Sequence, residues 1–170
     1  DGHASERVVE KIVELTGDVA HKDAVIVQSK SAAGMLSLLY DKYHEYPLEP
    51  RKIVFVNDHG RSFACNPKYI TQALLGIHSD LDIVWLAAND TMQVPDGVRI
   101  VPYNPEQAIR EVATARVIVN NCMWFSGFVK RADQYYIQTW HGSLGIKKIE
   151  KNVQILTEDE SWTKFAQQNS

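Results

Sequence analysis

The sequence predicts an α/β domain in which helices flank a largely parallel sheet. Three observations carry this. Short β-branched runs recur at residues 53–56, 82–86, 98–101 and 116–119, and stretches with helical apolar spacing lie between several of them. An Asn-Pro pair opens two of those stretches, at Asn66-Pro67 and Asn104-Pro105. Strands alternating with helices are the pattern of βαβ units, whose strands pair in parallel.

Residues 6–16 place Val8, Val9, Ile12, Val13 and Leu15 on one helical face, and Gly17 follows as a stop signal. Residues 24–28, Ala-Val-Ile-Val-Gln, are a short buried strand by composition. Residues 31–44 have helical spacing through Met35, Leu36, Leu38, Leu39 and Tyr43, with Pro47 and Pro50 ending the helix and forming a small linker. A strand over 53–56 then runs into a polar loop, 57–65. Asn66 is expected to cap a helix whose first turn takes Pro67 and which ends near Ile77, because Pro has no N–H to leave unpaired there. Strands at 82–86 and 98–101 follow. Asn104-Pro105 repeats the start signal, with Gln107 placed to complete a capping box ahead of Ala108, Ile109, Val112 and Ala113. Residues 116–119 and 135–139 are further strands. Beyond 155 the chain is polar and weakly periodic, as in an exit helix or a frayed end.

The 170 residues suit one domain, or one with a small appendage. With 45% hydrophobic and 23% charged residues the composition is that of a globular domain, which excludes collagen, disorder and coiled coil as whole-chain descriptions. Eighteen Lys and Arg against 21 Asp and Glu give a net charge of −3, against the basic surplus of a nucleic-acid binder, so no nucleic-acid partner is expected. The two cysteines, Cys65 and Cys122, form neither a disulfide framework nor a CxxC pair, which points to a reducing, intracellular setting. No apolar run approaches the ~18 residues that span a bilayer. Residues 1–5, Asp-Gly-His-Ala-Ser, have the look of a cloning scar.

In a parallel sheet, ligands sit outside the carboxyl ends of the strands. Two loops at that edge carry a His-Gly pair: Asn57-Asp58-His59-Gly60 and Trp140-His141-Gly142-Ser143. Histidine titrates near ~6.5 and suits proton transfer at neutral pH. By spacing alone a strand-end histidine is more often a cap or packing residue, and the duplication raises the weight of the catalytic alternative. His3, His21, His44 and His78 have no such setting and read as surface or scar residues. His59 paired with Asp58 or His141 makes only a sparse ligand set, so no metal and no cofactor is expected. Ser62 and Cys65 lie in no nucleophile elbow. Gly142-Ser143-Leu144-Gly145 with Lys147 and Lys148 reads either as a phosphate cradle or as a solvated basic turn. Trp124, Phe125, Phe128, Lys130 and Arg131 read as core packing with two surface cations, ahead of a lipid-facing lip.

From Lys52 to about Asn152 the chain resembles the CDP-glycerol glycerophosphotransferase family of teichoic acid biosynthesis. The resemblance rests on Ile53-Val54-Phe55 leading to His59-Gly60, on Cys65-Asn66-Pro67-Lys68, on the run from Ala113 through Asn120-Asn121, and most specifically on Tyr136-Ile137-Gln138-Thr139-Trp140-His141-Gly142-Ser143 followed by Lys147 and Lys148. It implies the N-terminal half of a GT-B-like fold, two Rossmann-like halves across a cleft. Residues 1–50 would be a helix-strand-helix segment, 51–155 the Rossmann-like acceptor-side domain, and 156–170 an exit helix or tail towards a C-terminal donor domain.

Such enzymes transfer glycerol phosphate from CDP-glycerol, or ribitol phosphate from CDP-ribitol, to the hydroxyl of a lipid-linked acceptor and release CMP. The resemblance makes His141 the catalytic base, and His59, from the other strand-end His-Gly pair, is expected to steady developing phosphate charge. Asp58, Gly60, Asn66, Asn121, Trp140, Gly142, Ser143 and Lys147 become candidate substrate-binding residues. Most donor contacts would come from the C-terminal half, so this chain alone is expected to be nearly inactive, and the enzyme to lie in the cytoplasm, at the inner face of the membrane. Where many members read Trp-His-Gly-Thr-Pro-Leu-Lys, this chain reads Trp-His-Gly-Ser-Leu-Gly-Ile-Lys, a less rigid loop. A non-catalytic binding module of the same fold and a GT-B glycosyltransferase using a nucleotide sugar are the competing readings.

Overall fold

Successive side chains of a strand point to opposite faces of a sheet, and here both faces are apolar. The computed structural model describes residues 4–17, 40–78, 80–122 and 130–141. They form strands β1 (Glu49–Val56), β2 (Asp82–Ala87), β3 (Val98–Pro102), β4 (Ala115–Asn120) and β5 (Tyr135–Gln138), with helices α1 (Ala4–Gly17), α2 (Cys65–Ile77) and α3 (Pro105–Thr114). Val54, Val56, Val84, Leu86 and Ile118 pack under Ala108, Ile109, Val112 and Ala113 of α3, together with Tyr40. The alternate residues Ile53, Phe55, Ile83, Trp85, Val117 and Val119 pack under Val9, Ile12 and Leu15 of α1 and Ile70 and Leu74 of α2. Each such side chain contributes roughly 1.5–3 kcal/mol when fully buried. Within the second layer the Phe55 and Trp85 rings stack 5.6 Å apart, and Phe63 meets Trp85 edge-on at 4.5 Å.

The sheet order is β3-β2-β1-β4-β5, and every pairing is parallel. The chain builds outward from β1 to β3, then returns past β1 to β4 and β5. Connections therefore diverge between β1 and β4, which opens a crevice at their carboxyl ends. Before β5, the buried Gln134 accepts from Tyr40 Oη at 3.0 Å and Arg131 N at 2.9 Å, and donates to the carbonyls of Val112 and Ala115 at 2.6 and 2.8 Å. These bonds fix where β5 enters the sheet.

Every expected element inside the described residues is present, with local departures. Asn104 caps α3 as expected: its Oδ1 accepts from Gln107 N at 3.0 Å, while its Nδ2 donates to Gln107 Oε1 at 3.3 Å. Asn66 does not cap α2. Ala64 occupies the cap position and Cys65 has φ 56°, which leaves Asn66 Nδ2 free to donate to the carbonyl of Thr139 at 3.2 Å. Pro50 is not in a linker but inside β1. It is exposed and lies where the β1–β4 register shifts between Glu49 and Ile53, so its missing N–H costs no regular ladder bond. His44 is half-buried edge-on to Tyr40 rather than at the surface, and its burial lowers its pKa. Arg131 is not the surface cation expected: it is largely buried and donates to the carbonyls of Tyr46 and Ala113. The expected strand at 24–28, residues 31–39 of the expected helix, Trp124, Phe125 and Phe128, and everything after His141 lie outside the described residues.

The amino ends of the strands carry a charge network. Lys52, 4% exposed, reaches Glu49 at 2.6 Å, Glu111 at 3.0 Å and Thr114 at 3.0 Å. Arg99 donates to both oxygens of Asp82, at 2.9 and 2.8 Å, and to Glu111 at 3.1 Å. The Arg99 hydrogen bonds hold the Asp82 carboxyl below its ordinary range against the opposing effect of burial. For Glu111, burial pushes the pKa up, and the hydrogen bonds and charges of Arg99 and Lys52 outweigh it, so this carboxyl is also lowered. Depressed carboxyls stabilise the fold above their unfolded pKa, and that stability is lost as pH falls through the folded value. Asp82→Asn is expected to cost about 1 kcal/mol at pH 7, a modest figure because Arg99 is half exposed to water. It should also narrow the gap between urea unfolding at pH 7 and at pH 3; an unchanged gap contradicts the assignment.

Candidate functional site

The register pairs Val56 with Asn120 and Asn120 with Gln138, so Asn57, Asn121 and Thr139 leave the sheet side by side. Both asparagines are 1% exposed, and a buried amide must be hydrogen-bonded. Asn57 Nδ2 donates to the backbone oxygen and Oγ of Ser62 at 3.0 and 2.9 Å. Its Oδ1 accepts from Asn121 Nδ2 at 2.5 Å. Asn121 Oδ1 in turn accepts from Asp58 N at 2.9 Å. Side chains thus tie the loop after β1 to the loop after β4.

The β1 loop is strained. Asp58, His59 and Gly60 have φ of 44°, 54° and 81°, a left-handed turn closed by bonds from Gly60 N to Asn57 O at 2.9 Å and from Arg61 N to Asp58 O at 3.1 Å. The left-handed region costs a non-glycine residue roughly 1–2 kcal/mol. Bonds from the partner loop offset this: Asp58 N–H to Asn121, and His59 N–H to Cys122 Sγ at 3.3 Å. With those N–H groups engaged inside the protein, the loop offers a ligand the Asp58 and His59 side chains rather than a backbone anion nest. Gly60 is required twice over. Besides its φ, an added Cβ would stand 2.8 Å from Ala88 N and 2.9 Å from Tyr103 Cβ.

His141 enters from β5. Trp140 is left-handed at φ 55°, and its N–H donates to Gln138 Oε1 at 3.0 Å, while Gln138 Nε2 donates to the Cys122 carbonyl at 3.0 Å. These bonds place His141 Nδ1 2.7 Å from the Asn121 carbonyl oxygen. A carbonyl only accepts, so Nδ1 carries the proton of the neutral ring and Nε2 keeps its lone pair.

Asp58, His59, Asn121 and His141 line one cleft of about 550 Å³, together with Asn57, Arg61, Ser62, Cys65 and Cys122. Gly60 is buried behind the turn. Asn66 and Trp140 brace the His141 loop and are not among the lining residues. Gly142, Ser143 and Lys147 lie outside the described residues. Cys65 and Cys122 are free thiols, and burial pushes the Cys122 thiol up, towards the neutral form. Burial raises the Tyr103 hydroxyl, edge-on to His59, to about 12. Among the described residues no group of three or more His, Cys, Asp and Glu side chains is set to hold a metal ion.

The family model of CDP-glycerol:poly(glycerophosphate) glycerophosphotransferases matches residues 38–169. The chain belongs to this family. It is 25% identical over 147 residues to a teichoic acid poly(glycerol phosphate) polymerase of Staphylococcus epidermidis, a match over 86% of this chain and 20% of that protein. It is 22% identical over 141 residues to the Bacillus subtilis polymerase of the same name, over 81% of this chain and 18% of the relative. Among solved structures, a variant of the wall teichoic acid polymerase TagF superposes with a TM-score of 0.66 at 25% identity, over 79% of this chain and 33% of that one. The same variant soaked with CDPG gives the same score and identity. The chain thus spans about a fifth of the length of these curated relatives and a third of the solved chains. Its parallel sheet and flanking helices agree with the Rossmann-like architecture expected within the GT-B-like fold of those neighbours.

The sequence reading passed over Asn57 and Cys122 as site residues. A signal was there: an asparagine directly follows both strand runs that turn out to be neighbours. Gly60→Ala is expected to destabilise the chain by about 2 kcal/mol or more, through positive φ and backbone overlap. Urea unfolding measures this, and a loss below about 0.5 kcal/mol, the scale of an ordinary surface substitution, contradicts the packing described.

Proposed function

We propose that this chain forms the acceptor-side part of a glycerophosphotransferase that uses CDP-glycerol or CDP-ribitol, with His141 as general base. The observation that carries the reading is the His141 Nδ1 contact with the Asn121 carbonyl at 2.7 Å, which leaves Nε2 basic at a cleft shared with His59 and Asp58. An acceptor hydroxyl in that cleft gives its proton to Nε2 as its oxygen attacks the β-phosphorus of the donor. A new P–O bond forms, the bond to the bridging oxygen breaks, and CMP leaves with the electron pair. His59, with Lys147 and the backbone N–H groups around Gly142, steadies charge developing on the phosphoryl oxygens.

Residues 51–155 would supply this acceptor-side surface, residues 1–50 an accessory segment and 156–170 the exit towards a donor domain. The acceptor would be a lipid-linked polyol phosphate presented at the inner face of the membrane. No helix among the described residues is long and apolar enough to cross a membrane.

A positioned base contributes ~10²–10⁴-fold in rate. His141→Ala in the full-length protein is expected to lower kcat for glycerol phosphate transfer by about that factor with the fold intact. Turnover at the wild-type rate would remove His141 from the chemistry and favour a non-catalytic binding module.

A further inference from the structure

The peptide unit joining Asn121 to Cys122 is held at both ends. Its carbonyl accepts from His141 Nδ1 at 2.7 Å, and its N–H donates to Asn120 Oδ1 at 3.0 Å. The same amide oxygen accepts from Cys122 Sγ at 3.3 Å. That directs the thiol hydrogen towards Asn120 and leaves sulfur lone pairs for the His59 N–H at 3.3 Å. Asn120 Nδ2 faces the Tyr136 hydroxyl at 3.4 Å, and the residue is 0% exposed.

We propose that Asn120 is a positioning residue for both histidines: its buried side-chain oxygen orients the 121–122 peptide that sets the His141 tautomer, and the Cys122 thiol that pins His59. This deepens the reading of His141 as base and rests on it. Asn120 touches neither imidazole and is not among the residues lining the cleft. Its action is through orientation. With Oδ1 in place, a rotation of the 121–122 peptide costs the bond to Cys122 N–H, and the carbonyl stays aimed at Nδ1. Free neutral histidine favours the proton on Nε2, the tautomer with no lone pair on Nε2 to act as base. The Asn121 carbonyl reverses that preference only while it holds its direction.

Long-range proton–nitrogen NMR of the histidine rings, on the labelled 170-residue chain, reads the tautomer directly. In the wild type the neutral His141 ring should carry its proton on Nδ1, and the Cys122 amide should exchange slowly with solvent. Asn120→Asp, which keeps an oxygen at the Oδ1 position, should preserve the Nδ1–H form. Asn120→Leu, similar in size but without an acceptor, should move the population towards Nε2–H, with backbone amide shifts confirming the fold. If the leucine variant does not fold, Asn120→Ala, which removes the side-chain acceptor, is read in the same way.

A wild-type His141 protonated on Nε2, an unprotected Cys122 amide, or an unchanged tautomer in a folded Asn120→Leu or Asn120→Ala chain each overturns the proposal. In the full-length protein, Asn120→Leu should lower kcat tenfold or more with little change in KM, and Asn120→Asp should restore most of it. The NMR readout needs no activity. Its failure refutes the positioning role, whereas the expected tautomers combined with wild-type turnover of His141→Ala refute only the catalytic reading.

Discussion

Parallel pairing of β4 with both β1 and β5 is the constraint on which the cleft depends. Val56, Asn120 and Gln138 share one level of the sheet, so the next residue of each strand emerges at the same height. From that level come the Asn57–Asn121 amide pair, the support of the left-handed turn and the carbonyl that meets His141. A one-residue slip of β4 would exchange its inward and outward faces and separate all of these groups. β4 is buried along its length with Arg116 and Asn120 on the face opposite Val117 and Val119, so a slip that exchanges the faces would carry polar side chains among the apolar residues under α1 and α2.

The two ends of the sheet have different tasks. At the amino ends, Lys52, Arg99, Asp82 and Glu111 join β1, β2, β3 and α3 through charge-assisted bonds. At the carboxyl ends, hydrogen bonds hold strained backbone in place. Asp58, His59 and Trp140 are left-handed without being glycine, and all three belong to the loops that form or brace the cleft. Strain of this kind persists only where the surroundings over-determine it, and here Asn121, Cys122 and Gln138 supply the determining bonds. The chain holds two imidazoles at one cleft by arranging buried amides behind them.

Much of the fold was legible because its signals are local. The β-branched runs, the Asn104-Pro105 start and the strand-end histidines each sit within a few residues of the feature they announce. The departures come from distant partners. Asn66 has the local chemistry of a cap, yet Thr139, far along the chain, takes its amide. Pro50 looked like a linker residue because the irregular β1–β4 register that tolerates it is a property of the pair, not of β1. The roles of Asn57, Asn120 and Cys122 follow from which strands are neighbours, and periodicity does not contain strand order. The Gln-Thr-Trp-His-Gly string marked His141 through family resemblance, whereas its tautomer follows only from the contact with the Asn121 carbonyl.

The central claim is that the His141 ring is fixed through Nδ1 so that Nε2 serves the reaction. A crystal structure of the full-length protein with CDP-glycerol bound tests it most directly. The account predicts that Nδ1 remains on the Asn121 carbonyl while Nε2 faces the side of the β-phosphorus from which an acceptor hydroxyl would attack. A His141 ring rotated off that carbonyl, or a β-phosphate bound away from the cleft of Asp58, His59 and His141, would contradict it.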